Sequence, residues 1–224
     1  NFDPATIDPS QLEAALAAAR LGADVRLVSF DVGKVGEMSC NPAIGGLGKG
    51  QMVREIDALG GAMGQIADAT GIQFRMLNTA KGAAVQAPRC QSDRHRYREE
   101  ATRWVQDARG VELVEGAVTG LILEEIDGVL GVRGVRLEDG VELRAHATIL
   151  TTGTFLRAIM HTGERTASGG RVGERSADGL SGDVERLGLR LGRLKTGTPP
   201  RIDQRTVDFS VMEAQPGDEA PRPF

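Results

Sequence analysis

Apolar and polar residues recur along this chain with two different periods, which together predict an α/β fold. An alanine-rich helix is predicted from Gln11 to Leu21, with Ser10 as its N-cap and Gly22 as its C′ residue. The alternating, β-branched segment 24–30 then predicts a strand. A helix, a glycine and a strand in this order are typical of the second half of a βαβ unit.

The segment before this helix lacks the features that begin such a unit. Residues 1–11 hold no apolar strand and no glycine, so the Gly-x-Gly-x-x-Gly turn that seats a dinucleotide is absent. The chain starts with Asn1 rather than Met and ends in a proline-rich run at 221–224. We therefore expect it to be truncated at both ends.

Beyond residue 30 the pattern predicts more helices, a run of short strands and a loop from 154 to about 179. Asp-Gly pairs at 127–128 and 139–140 signal hairpins, so a β-meander is predicted over about 111–146. The apolar run 147–150 followed by Thr151-Thr152-Gly153 is typical of the strand that leads the chain from the meander back to the parallel sheet in two-dinucleotide-domain flavoproteins. The alternative is an ordinary hairpin followed by a strand. Helices are predicted at about 50–59, 62–69, 91–108 and 180–187, and strands at 72–78, 111–114, 118–124, 131–137, 141–145, 147–150 and 189–194.

Composition narrows the class of protein. The 224 residues are 40% hydrophobic and 26% charged, as in ordinary globular proteins, and the net charge of −4 demands no nucleic-acid partner. No apolar run is long enough for a membrane helix and no signal peptide begins the chain, so no membrane is expected. Two cysteines make no disulfide framework, which favours a reducing, cytoplasmic setting.

The glycine-rich loop 39–50 holds the strongest candidate chemistry. Cys40 precedes a predicted helix, whose N-terminus stabilises a thiolate that can attack an electrophilic carbon; a small buried residue in a turn is the alternative. The loop is not a nucleotide P-loop, because Gly50 follows Lys49 where a Ser or Thr would bind Mg²⁺. It remains a candidate anion or cofactor seat, which Lys49 and Arg54 could reach unless they lie on a solvated helix face.

Residues 75–103 are locally basic in a chain that is acidic overall. This excess is compatible with binding a phosphate backbone, although a solvated helix face is the commoner explanation. Cys90, within this segment, is predicted to be structural. The three histidines lack metal-ligand spacing, so no metal site is expected. The basic residues are Arg75, Lys81, Arg89, Arg94, Arg96, Arg98 and Arg103.

Several motifs together form a pattern typical of one family. They lie at residues 38–50, 53–61, 71–78, 151–156, 168–173 and 192–203. In this pattern the chain resembles the glucose-inhibited division protein A family (GidA, also called MnmG), from about Glu13 onward. Its members are FAD-dependent enzymes that build the carboxymethylaminomethyl group on the wobble uridine of tRNA. The most specific part of the resemblance is the Cys-Asn-Pro-Ala-Ile-Gly-Gly loop that contains Cys40.

The resemblance implies a fold, cofactors and partners. The fold is an α/β, FAD-binding Rossmann-like parallel sheet with an antiparallel meander insert. It implies a partial FAD-binding domain at 1–155 and the start of a second, incomplete domain at 156–224. Methylenetetrahydrofolate and NADH are implied as co-substrates beside FAD. The implied partners are tRNA, an MnmE-type GTPase and a second copy in a homodimer. The family's second catalytic cysteine and NAD site would lie beyond Phe224.

The resemblance also implies a set of site residues. The catalytic cysteine of the family falls on Cys40. Arg89, Lys195 and Arg201 are expected to contact tRNA or folate. Contacts to the cofactor are expected at Asn41, Gly45, Gly46, Gly48, Lys49, Val118, Thr152, Gly153 and Ala177.

Three other functions stay open at this point. Without the first strand and its glycine turn, the chain is a candidate non-catalytic fragment that cannot hold FAD. A generic FAD oxidoreductase acting on a small molecule is a second alternative. A relative of the folate-dependent tRNA uridine methyltransferases is the third, although that family lacks the loop around Cys40.

Overall fold

The computed structural model describes residues 9–38, 41–171, 176–197, 200 and 202–224. They form two compact units: the first unit combines Asn1–Glu37 with Thr102–Leu194, and the second unit combines Met38–Ala101 with Lys195–Phe224. The helices are α1 Pro9–Arg20, α2 Lys49–Ala58, α3 Met63–Thr70, α4 Arg94–Gln106 and α5 Gly179–Arg186. The strands are β1 Val25–Ser29, β2 Ala43–Gly45, β3 Gly71–Leu77, β4 Ala87–Ser92, β5 Val111–Glu115, β6 Val118–Ile126, β7 Val129–Leu137, β8 Glu142–Arg144, β9 Ile159–Thr162 and β10 Arg165–Ser168.

Helix α1 starts differently from the prediction and ends as predicted. It begins at Pro9, so Ser10 lies inside its first turn and is not the N-cap. Proline is accepted at a first helical position because its missing N–H would have no intrahelical acceptor there. At the other end Gly22 has a φ of +88°, its N–H donates to Ala19 O at 2.9 Å, and Ala23 N–H donates to Ala18 O at 3.1 Å. This bond pattern is the Schellman motif.

The parallel pair of the first unit follows directly from α1. Strand β1 pairs with β5 in parallel, from Val25 opposite Val111 to Ser29 opposite Glu115. The predicted strand at 111–114 is thus present, but it does not belong to the meander as predicted. Parallel pairing requires a long crossover between the two strands, and here the rest of the chain between residues 30 and 110 provides it.

The meander of the first unit consists of β6, β7 and β8, in that order. Its core holds Leu121 of β6 against Leu180 and Val184 of α5, all buried. The Asp183 carboxylate accepts a hydrogen bond from Leu121 N–H at 2.8 Å. The N-terminus of α5 approaches β6 closely, since a Cβ built on Gly179 would lie 2.0 Å from Thr119 O. Helix α5 is therefore fixed to the meander by apolar burial, one charged hydrogen bond and a glycine contact.

The second unit contains a sheet of strand order β2–β4–β3, with both pairs antiparallel. Strand β4 is an element that the sequence analysis missed, and the helix predicted from 91 begins only at Arg94. The β4 segment contains Pro88 and no β-branched residue, so its pairing on both sides, and not its propensity, makes it a strand.

The outer edge of β3 is covered by the last residues of the chain. Asp218 N–H donates to Phe74 O at 2.8 Å, and the Asp218 carboxylate accepts from Met76 N–H at 2.8 Å. Six residues later, Phe224 N–H donates to the Asp68 carboxylate of α3 at 3.1 and 3.2 Å. Burial raises the pKa of Asp68, and this hydrogen bond opposes the rise.

Two predicted strands are wrong, and one strand pair was missed. Residues 147–150 and 189–194 are not strands, and the side chains of Ile149 and Leu194 are 64% and 96% exposed. An apolar run becomes a strand only when a neighbour accepts its hydrogen bonds, and no described strand pairs with either segment. The predicted loop after Thr154 instead contains the antiparallel pair β9–β10. The domain division at residue 155 stays a prediction.

Replacement of Gly179 by alanine is expected to destabilise the protein by about 1–3 kcal/mol, because the new methyl group would overlap Thr119 O. Gly182, in the same helix, is the matched control: a Cβ there would meet no atom within 4 Å. Alanine at Gly182 is expected to stabilise by up to about 1 kcal/mol through helix propensity. Urea unfolding midpoints measure both changes. Equal effects of the two substitutions would contradict the packing of α5 on β6.

Candidate functional site

The glycine-rich turn of the second unit has a backbone that requires glycine. Gly45, Gly46 and Gly48 have φ values of +99°, +94° and +78°. Gly46 N–H donates to Pro88 O at 2.8 Å, and a Cβ on Gly45 or Gly50 would lie 2.1 or 2.6 Å from that same oxygen. The turn therefore packs backbone against backbone on β4, which only residues without a side chain allow.

Helix α2 starts directly after this turn. Gly48 is its N-cap and offers no side-chain acceptor, so the first N–H groups of the helix receive no side-chain cap. A Cβ on Gly46 or Gly48 would meet nothing within 4 Å, which leaves the outer side of the turn open. Lys49, the first helical residue, is exposed beside it, and Asn41, before β2, is exposed as well. Gly50 N–H donates to Gly46 O at 2.7 Å. A glycine turn that leads into a helix, with an exposed lysine at the first helical position, has the chemistry of an anion seat.

Two predicted site residues, Cys40 and Arg201, lie outside the described residues. Among the described ones, Arg89 is half-buried on β4, directly opposite Gly45 of the turn. Lys195 is exposed in the second unit. The second unit thus brings Arg89 and the glycine turn together.

Three of the four predicted cofactor contacts of the first unit, Thr152, Gly153 and Ala177, lie at Phe155. Ala177 N–H donates to Phe155 O at 2.8 Å, and Phe155 N–H donates to Thr152 O at 3.0 Å. Gly153, between them in sequence, has a φ of +55°. Val118 begins β6, packs against the core below α5 and precedes the Thr119 carbonyl that Gly179 contacts. Ala177 and Val118 therefore lie near the start of α5, and Thr152 and Gly153 are linked to Ala177 through Phe155.

Phe155 is a site residue that the sequence analysis did not single out. Its ring lies edge-on to Phe30, with centroids 6.2 Å apart, and the Arg171 guanidinium lies 5.4 Å from its centroid. A Cβ on Gly170 would meet the ring at 2.4 Å. The sequence pointed to Phe155 only through its position in the family-like stretch 151–156. A single Phe in a predicted loop has no periodicity that would predict a contact. The Phe155 N–H, through its hydrogen bond to Thr152 O, closes the turn that contains Gly153.

Cys90 has the environment of a structural cysteine, as predicted. It is fully buried on β4, and its Sγ contacts Ala67 O at 3.4 Å and Ser92 Oγ at 3.6 Å. Burial raises the pKa of the Cys90 thiol, and the contact with Ser92 offsets only part of that rise. A neutral, enclosed thiol is a poor nucleophile.

Metal ligation and membrane insertion find no support in the described part of the chain. No group of three or more His, Cys, Asp or Glu residues there could hold a metal ion. None of the helices within the described ranges has the length and apolarity that crossing a bilayer requires.

Comparison with known proteins places these features in a family. The sequence profile described as "Glucose inhibited division protein A" matches residues 10–224. The tRNA uridine 5-carboxymethylaminomethyl modification enzyme MnmG of Rhodopirellula baltica is 51% identical over 218 residues, which cover 95% of this chain and 33% of that protein. The MnmG of Aquifex aeolicus is 48% identical, with 95% of this chain and 34% of that protein covered.

Solved structures agree with the sequence comparison. Aquifex aeolicus GidA in its form II crystal superposes with a TM-score of 0.87 at 46% identity, covering 97% of this chain and 35% of that one. The GidA-related protein of Thermus thermophilus, at 22% identity and a TM-score of 0.55, shares the fold alone; 83% of this chain and 67% of that one are covered.

The parallel pair, the meander and the superposition define a Rossmann-like α/β protein of the FAD-binding type. Within that class, the chain belongs to the glucose-inhibited division protein A family. It spans about a third of the length of the relatives that it matches.

Alkylation of Cys90 is expected to be at least about tenfold slower in the folded protein than in urea, because its raised pKa leaves little thiolate. A Cys40→Ser variant isolates this thiol, and iodoacetamide labelling followed by mass spectrometry measures the rate. Equal rates in both states would contradict the burial of Cys90.

The raised pKa has a second consequence with a defined sign. The folded state keeps the Cys90 proton at pH values where the unfolded state has lost it, so the unfolding free energy of Cys40→Ser falls as pH rises above the ordinary thiol pKa. Adding Cys90→Ala to this variant should abolish the part of the fall in unfolding free energy that comes from the Cys90 thiol. Urea titrations at increasing pH test this.

Proposed function

We propose that this chain is the N-terminal part of an FAD-dependent enzyme that, with a partner GTPase, forms the carboxymethylaminomethyl group at C5 of the wobble uridine of tRNA. The observation that carries the proposal is the match to relatives named for this modification, at 46–51% identity over at least 92% of the chain. The open glycine turn opposite Arg89 supports it as a seat for an anionic group.

The residues of the first unit fit a flavin nucleotide. A Cβ on Gly153 would meet only the Phe155 ring, at 3.8 Å, so this positive-φ turn exposes its backbone to a close ligand. Thr152 and Ala177 are both hydrogen-bonded to the backbone of Phe155, and Val118 is the first residue of β6. We assign these four residues to FAD contact. Bound FAD would supply redox chemistry and a carrier for the one-carbon unit.

The glycine-rich loop 39–50 would act on the nucleobase through Cys40. Attack of the Cys40 thiolate on uracil C6 forms a C–S bond, and the π electrons move to the C4 carbonyl as an enolate, which makes C5 nucleophilic. Elimination of the thiolate after C5 has lost its proton restores the ring. Asn41, Gly45, Gly46, Gly48 and Lys49 are assigned to the cofactor side of this site, and Arg89, Lys195 and Arg201 to tRNA or folate.

Methylenetetrahydrofolate as the one-carbon donor, NADH as the flavin reductant, a homodimer and a cytoplasmic location belong to the same proposal. The family resemblance supports all of them. The competing proposal is a non-catalytic fragment that cannot hold FAD.

FAD titrated into the purified chain is expected to bind, with quenching of flavin fluorescence, and Gly153→Ala is expected to weaken binding about tenfold or more by narrowing the approach to the backbone. Gly163→Ala is the matched control, because Gly163 has a similar φ of +60° in the β9–β10 turn, with nothing within 4 Å of a built Cβ. Failure of the unaltered chain to bind FAD would favour the non-catalytic fragment.

Deletion of the gene that encodes this chain is expected to remove carboxymethylaminomethyluridine from total tRNA. Restoring the gene should restore the nucleoside, whereas a Cys40→Ser version should not, because it lacks the thiolate. A Cys90→Ala version is the control, since Cys90 is buried away from solvent. Liquid chromatography with mass spectrometry measures the nucleoside. An unchanged nucleoside content after deletion would overturn the proposed function, and full restoration by Cys40→Ser would overturn the role of Cys40.

A further inference from the structure

The sheet of the second unit has one apolar and one polar face. On the apolar face Ile44, Cys90 and Phe74 lie in one row across the three strands. On the polar face Gln73 is opposite Gln91, and Arg75 is opposite Arg89. Directly opposed residues of an antiparallel pair project from the same side of the sheet, so the two arginines are neighbours.

This arginine pair is costly unless something neutralises it. Like charges placed directly opposite each other on adjacent strands destabilise a sheet. Arg75 Nη1 donates to the Gln215 side-chain oxygen at 3.2 Å, and Arg89 Nη2 donates to the Gln91 side-chain oxygen at 3.2 Å. Both acceptors are neutral amides. Among the described residues, no carboxylate forms an ion pair with either guanidinium.

Within the part of the chain that the structure describes, most of the N–H donors of the pair form no hydrogen bond. A guanidinium carries five N–H donors, and each of these two uses one on a described side chain. Planar guanidinium groups match the oxygens of a phosphate in bidentate geometry. Two of them side by side, with no ion-paired carboxylate from the described ranges, therefore form a site for an external oxyanion.

The position of the pair connects it to the glycine-rich turn. Arg89 is opposite Gly45 on its other side, so Gly45, Arg89 and Arg75 form one row across the sheet. Glycine contributes no side chain to that row. An anion held by the arginines would lie beside the turn that leads into α2.

We propose that Arg75 and Arg89 form a phosphate-binding pair that takes a backbone phosphate of the RNA substrate; this rests on the proposed function. The overall charge of −4 means that the chain as a whole repels RNA, so a local, unneutralised pair of cations must supply the attraction. The pair positions the RNA beside the glycine turn and carries no sequence information of its own.

The test is RNA binding as a function of salt. The probe is a fluorescent anticodon stem-loop RNA, whose anisotropy is followed from low to moderate salt with the unaltered chain, Arg75→Gln and Arg89→Gln. Each substitution is expected to weaken binding at low salt by about tenfold and to reduce the slope of log K against log salt by about one. Arg136→Gln is the matched control, because Arg136 is already paired with Glu142 at 3.0 Å.

Thermal unfolding of the same variants separates binding from a structural role. Removing one of two opposed charges is expected to leave the melting temperature unchanged or raised in the absence of RNA. A fall in melting temperature with an unchanged salt slope would overturn the proposal and make the pair structural. An unaltered chain that binds no RNA would also overturn it.

Calorimetry with inorganic pyrophosphate distinguishes the source of the phosphate. The chain could bind pyrophosphate through both arginines and yet bind no RNA. That result would overturn the assignment to RNA and indicate a small phosphorylated ligand instead. The cellular tRNA analysis decides the proposed function independently, since it depends on the gene and Cys40 and not on this pair.

Discussion

The carbonyl oxygen of Pro88 is the point on which the second unit depends. It accepts the Gly46 N–H, and it lies where a side chain on Gly45 or Gly50 would have to be. Through this one group, β4 holds the end of β2, the glycine turn and the first turn of α2. The turn therefore packs on β4 backbone against backbone. The same contact sets Arg89 directly beside it, so the fold and the candidate anion site share one constraint.

In the first unit, too, a glycine lets two backbone segments approach each other closely. The absence of a side chain at Gly179 lets α5 meet the Thr119 carbonyl, and Leu180 then reaches the meander core. Ala177 lies just before this contact and is tied to Phe155. Ala177, a predicted flavin contact, therefore lies on backbone between its hydrogen bond to Phe155 and the contact of Gly179 with Thr119. Rigid backbone near a cofactor lowers the cost of ordering on binding.

Local signals in the sequence predicted what depends on local physics. The end of α1 at Gly22 and the hairpins at the Asp-Gly pairs follow from turn chemistry. Cys90 was predicted to be structural, and it is buried in the structure. Strand β4 was missed because its pairing, not its residues, makes it a strand, and residues 147–150 failed because no described neighbour pairs with them. For the candidate site, the sequence pattern predicted the glycine turn. The position of Arg75 beside Arg89 depends on β-pairing, and the contacts of Phe155 depend on ring packing, so neither could be predicted from local sequence.

The covered edge of β3 has a consequence for how the chain is made. Met76 and the Asp218 that satisfies its N–H are 142 residues apart. At ribosomal rates of about 5–20 residues per second, roughly 7–30 seconds separate the synthesis of the two. During that interval β3 exposes an unpaired strand edge, which is a template for pairing with other nascent chains. The second unit is therefore most vulnerable to aggregation during translation, before the cover of its sheet has been synthesised.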